Sequence, residues 1–123
     1  MVLLRVVDVP STASIAGAIA APARSTETPE QELTRAASEA EAYLERVAQP
    51  LRQKGIDIIC LVMRGVAGEV IVAYAQNELV DLIAIATRGR SGLGRAIFGS
   101  VADFVLRESG RPILLIKPQE NKE

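Results

Sequence analysis

Apolar residues along the chain fall into two kinds of run. Short stretches rich in valine, leucine and isoleucine occur at 2–8, 56–63, 81–87 and 113–117. They lack polar alternation, and apolar character on both faces predicts strands buried on both sides of a parallel sheet. Between them lie longer stretches of helical period. In the first, Leu33, Ala37, Ala40, Leu44, Val47 and Leu51 recur every three or four residues, with Glu and Arg at most positions between. That pattern predicts an amphipathic helix over 29–54. Thr28-Pro29-Glu30-Gln31 supplies its start: a threonine N-cap, a proline at the first helical position and a glutamine that closes a capping box. Gly55 closes it, and Pro50 is placed to kink its last turn. A second helix is predicted over 67–78, with Val70, Ile71, Tyr74 and Ala75 on its core face. A third runs from Ser100 to Ser109 and is broken by Gly110-Arg111-Pro112.

The predicted order is strand–helix–strand–helix–strand–helix–strand. It specifies the α/β class, an open parallel sheet with flanking helices and right-handed crossovers. The whole chain, 1–123, reads as a single domain. Residues 10–28 mix Pro, Ser, Thr, Gly and Ala without a period and read as a mobile loop, and 118–123 as a polar tail.

One segment carries chemistry. Ala86-Thr-Arg-Gly89-Arg-Ser-Gly92-Leu-Gly94-Arg95-Ala-Ile-Phe-Gly99-Ser100 links the end of a predicted parallel strand to the start of a helix. Ligands of open α/β sheets bind at that place. Glycines there let a backbone approach a phosphate and turn N–H groups toward it. Arg88, Arg90 and Arg95 add positive charge, and a helix start favours an anion. Ser100 is read as the N-cap, with Asp103 as its acidic partner. The segment has neither the Walker A spacing nor G-x-G-x-x-G in order. From the residues alone, two readings stand: a phosphate or nucleotide site, or a solvated turn in which the glycines only permit bends.

The run IATRGRSGLGRAIFGSVADFVLRESGRPILLIKP resembles the C-terminal half of a universal stress protein domain. VLLRVVDVP and EVIVAYAQNELVDLIAIAT fit the same pattern, so the resemblance covers nearly the whole chain. It implies the Rossmann-like fold of the adenine-nucleotide alpha hydrolase type. In ATP-binding members the motif is G-x-x-G, nine residues, then G-[ST]. The resemblance implies that Gly89, Gly99 and Ser100 contact the triphosphate of ATP, with or without magnesium, and that Arg90 lies near the phosphates. It places Val6, Asp8 and Ala86 toward the adenine and ribose. Ala86 stands where the motif has its first glycine. The resemblance also implies a homodimer joined through the last strand, 113–117. Relative to the family the chain is N-terminally truncated by one strand and one helix. The absent strand would be central, so the expected remainder is two two-stranded halves, with the dimer compensating for the loss. The implied function is a nucleotide-binding module of stress response; the alternative is a dimerisation scaffold that has lost the nucleotide.

Composition narrows the chemistry further. The chain has no histidine and one cysteine, Cys60. Ser-His and Cys-His nucleophile pairs, histidine-ligated metals and intrachain disulfides are thereby excluded. No catalytic residue and no metal ligand is assigned, and a non-enzymatic protein is expected. A formal net charge of −1 and four aromatic rings (two Tyr, two Phe) argue against nucleic-acid partners. No segment reads as a signal peptide or membrane span, which leads to a cytoplasmic expectation. Cys60 is expected to be a buried inert thiol, Asp57 edge-exposed, Asp81 a strand-start residue, and the Glu-rich face of 30–46 solvated.

Overall fold

The computed structural model describes residues 1–8, 28–87 and 99–118. The chain divides into two compact units, Met1–Val66 and Ala67–Glu123. In order, the elements are β1 (Val2–Asp8), α1 (Pro29–Gln53), β2 (Ile59–Gly65), α2 (Ala67–Asn77), β3 (Ile83–Ala86), α3 (Ser100–Glu108) and β4 (Ile113–Ile116). All seven predicted elements are present. The expected loop at 10–28 lies outside the described residues except for Thr28, and the expected polar tail except for Pro118.

The first unit is a β–α–β crossover. α1 starts as its sequence dictates. The Gln31 N–H donates to Thr28 Oγ1 at 3.2 Å, and the Thr28 N–H donates to Gln31 Oε1 at 3.0 Å. Glu30 and Glu32 lie in the first turn, where the helix dipole favours them. The helix continues through Pro50 and ends in a Schellman arrangement. Gly55 takes φ +86°, its N–H bonds Arg52 O at 2.9 Å, and the Ile56 N–H bonds Leu51 O at 3.2 Å. The buried line of α1 is Ala40, Leu44 and Ala48. Ala40 and Leu44 are buried as the pattern predicts, and the stripe departs from it at one point, where Ala48 is fully buried and Val47 is 38% exposed. Strict four-residue spacing places the small alanine, rather than the valine, against the sheet.

β1 and β2 pair in parallel, from Val2 opposite Ile59 to Asp8 opposite Gly65. β2 therefore starts three residues after the predicted Ile56. Residues 56–58 serve instead as the connector that receives α1, with the Arg52 guanidinium donating to Ile58 O at 3.0 Å. Asp57 is exposed, as expected. Arg52 also bonds Glu45 Oε2 at 2.6 Å and approaches Cys60 Sγ at 3.9 Å. The Arg52 hydrogen bond holds the Glu45 carboxyl below its ordinary value. Desolvation, aided by Glu45, pushes the Cys60 thiol up against the opposing pull of Arg52. Cys60 is half-buried rather than buried, and among the described residues β2 pairs with β1 alone.

The second unit contains α2, β3, α3 and β4. β3 and β4 are parallel, with Ile83 opposite Ile113 and Ala86 opposite Ile116. α2 and α3 pack through Gly68, Ala75, Ala102 and Val105, all buried. Gly68 lets Phe104 come close: a Cβ built on Gly68 would stand 2.7 Å from Phe104 Cδ1. Left-handed Leu79, at φ +51°, ends the turn after α2, and Val80 N–H bonds Ala75 O.

The sheet is parallel, as predicted, and it stands as two separate two-stranded pairs, β1–β2 and β3–β4. The expectation of strands buried on both faces is corrected. β3 and β4 alternate between half-buried and exposed, and no residue of β1 or β2 is fully buried. In a two-stranded sheet every strand is an edge, so a uniformly apolar sequence keeps half its side chains within reach of water.

Candidate functional site

In the second unit the site expected from the sequence falls at the end of β3 and the start of α3. In a parallel strand–helix–strand unit, the C-terminal end of β3 and the N-terminus of α3 lie at the same end of the sheet. Ala86 ends β3 and is exposed. Thr87 follows and is anchored on the neighbouring strand. Its N–H bonds Ile116 O at 2.8 Å, and its hydroxyl donates to the same oxygen at 3.4 Å. That double attachment fixes where the chain leaves the sheet. Sequence reasoning missed it, although a threonine closing a β-branched run is the available signal.

Gly99 is the N-cap of α3, with φ +79° and ψ +159°. A side chain at that φ would be strained, which is a physical reason for glycine at this position. Ser100 is the first helical residue and α3 has no side-chain capping hydrogen bond, so the reading of Ser100 as N-cap is corrected. Once Gly99 occupies the cap, Ser100 already has helical backbone, and the extended φ/ψ that lets an N-cap hydroxyl reach back to the first turn is lost to it. Asp103 is likewise not a capping-box partner. Its N–H bonds Gly99 O at 3.0 Å, and its carboxylate pairs with Arg107 Nη2 at 2.8 Å. The first turn of α3 therefore presents N–H groups that no side chain among the described residues caps, with its one carboxylate drawn to a cation a turn further on.

The predicted site residues are distributed as follows. Ala86, Gly99 and Ser100 belong to the second unit, Val6 and Asp8 to the first. Gly89 and Arg90 lie outside the described residues, as do Arg88 and Arg95. Val6 is half-buried near the end of β1, and Asp8, its last residue, is exposed. Both line an open groove of about 540 Å³ between β1 and α1, with Arg5, Glu39 and Tyr43. Asp81 is exposed and precedes β3, consistent with its reading as a strand-start residue. Among the described residues no helix is long and apolar enough to cross a membrane.

Similarity to known proteins agrees with this architecture. Residues 1–117 match the universal stress protein family. Two curated relatives come from Methanocaldococcus jannaschii. Universal stress protein MJ0531 is 33% identical over 79 residues, covering 64% of this chain and 46% of that protein. Universal stress protein MJ0577 is 30% identical over 79 residues, covering 64% and 49%. The matched part thus spans about half the length of these curated relatives. Among solved structures, that of MJ0577 superposes with a TM-score of 0.73 at 25% identity, over 98% of this chain and 76% of the other. The structure of the hypothetical protein PH0823 gives 0.66 at 24% identity, over 99% and 77%, and speaks to the fold alone. With a family match that reaches from the first residue of the chain to the residue after β4, the chain belongs to the universal stress protein family.

Proposed function

We propose that the chain is a nucleotide-binding module of cytoplasmic stress response, taking ATP or a related nucleotide and working as a homodimer. The observation that carries this reading is the start of α3. Left-handed Gly99 opens a helix whose first turn no side chain among the described residues caps, and such a terminus suits a phosphate. Gly89, Arg90, Gly99 and Ser100 would hold the phosphates, and Ala86 would lie on the ribose side. The segment from Arg88 to Gly99 contains three arginines and no carboxylate or histidine. Its composition attracts an anion and supplies no base for hydrolysis, which favours binding over turnover.

The register of β4 supports the dimer. Thr87 N–H bonds Ile116 O and Ile83 N–H bonds Pro112 O, so the even-numbered residues of β4 turn their backbone toward β3. Ile113, Leu115 and Lys117 therefore turn theirs outward. Antiparallel pairing with a second β4, centred on Leu115, sets exposed Leu114 opposite exposed Ile116 and extends one apolar face. A second reading is a scaffold without nucleotide, favoured by the Ala86 methyl where the family motif has glycine.

Calorimetric titration with ATP, with and without magnesium, tests the proposal on wild type and on Gly99→Asp. Micromolar binding abolished by the substitution supports it. Absence of heat in both proteins overturns it in favour of the scaffold. Sedimentation of Leu115→Pro tests the dimer, because proline at that position removes an outward N–H and leaves the β3 ladder intact.

A further inference from the structure

We draw no further inference here: the strongest candidate, the side-chain cluster in which the half-buried Cys60 thiol of β2 lies 3.9 Å from the Arg52 guanidinium of α1, is a lone cysteine whose neighbours Arg52 and Glu45 already hydrogen-bond each other at 2.6 Å, and nothing among the described residues there points to a ligand.

Discussion

Gly68→Ala is the substitution whose outcome the packing determines most directly. At an exposed, uncrowded helical position this change stabilises, because alanine exceeds glycine in helix propensity by about 0.8–1 kcal/mol. Gly68 is buried and faces α3. The added Cβ would meet Phe104 Cδ1 at 2.7 Å, Cγ at 3.2 Å and Cβ at 3.4 Å. Carbon atoms rest at about 3.5–4.0 Å, so the closest contact falls short by roughly 0.8 Å. Rotation of the ring about its own axis moves Cδ1 but leaves Cγ in place. Relief therefore requires a new χ1 for Phe104 or displacement of α3. Overpacking of this kind costs about 1–3 kcal/mol. Set against the propensity gain, the net effect is a loss of up to roughly 2 kcal/mol.

Urea denaturation followed by far-ultraviolet circular dichroism measures that loss. The double variant Gly68→Ala with Phe104→Leu isolates its cause, since a smaller side chain at 104 relieves the clash and the two changes couple favourably. Stabilisation by Gly68→Ala alone would refute the reasoning, because it would mean that Phe104 yields at no cost. The perturbation also bears on the proposed site. α3 begins at Ser100, and Phe104 lies one turn further along it, so a shift that accommodates the added methyl displaces the N–H groups of the first turn. If that terminus binds a nucleotide as proposed, a parallel loss of affinity is expected.

Three other outcomes follow from local geometry. Thr28→Ala removes the reciprocal capping box of α1 and is expected to cost about 1 kcal/mol, measured by thermal or urea unfolding; no change would mean that α1 frays at its start regardless. Gly99→Ala forces a side chain into φ +79° and is expected to destabilise by about 1–2 kcal/mol, whereas Ser100→Ala, at a position that caps nothing, stays within about 0.5 kcal/mol; the reverse order would restore Ser100 as the N-cap. Glu45 has a carboxyl pKa lowered from 4.5 by its hydrogen bond to Arg52, so its contribution is present above the unfolded carboxylate pKa and fades as pH falls through the lowered folded value. Glu45→Gln should therefore flatten the acid limb of the stability–pH profile by lowering stability in the neutral region while leaving stability at low pH close to that of wild type; an unchanged acid limb would exclude the pairing as a source of pH dependence.

The order and type of elements were legible because each carries a local signal strong enough to stand alone. The capping box at Thr28, the Gly55 stop and the four-residue line through Ala40 and Leu44 all act within a few residues of themselves. What was not legible depends on partners distant in sequence. Whether Val47 or Ala48 is buried is decided by the direction from which the β1–β2 pair approaches α1. β2 starts at Ile59 rather than Ile56 because register with β1 sets it, and Arg52 takes Ile58 O. The burial of the strands was overestimated for the same reason: a uniformly apolar run reports what a strand would tolerate on both faces, while the number of neighbouring strands decides what it receives.

The candidate site shows the same division one residue at a time. Glycine followed by serine at a helix start fits two local structures. In one, serine caps the helix and its hydroxyl occupies the place an anion would take. In the other, glycine caps it and the first-turn N–H groups have no side chain of their own. Local propensity favours the first, since serine outranks glycine as an N-cap. The left-handed φ of Gly99 selects the second, and that backbone is open to glycine at a small fraction of its cost to serine. Forgoing a serine cap for glycine costs only a few tenths of a kcal/mol of helix stability. A helix start that forgoes it, directly after a sequence of arginines and glycines, is what a terminus would show if its N–H groups were satisfied by a ligand rather than by the chain. Gly99→Ser with Ser100→Ala tests that inference: a loss of nucleotide affinity without a gain in stability, because the serine is strained at φ +79°, would follow from it, and an unchanged affinity would contradict it.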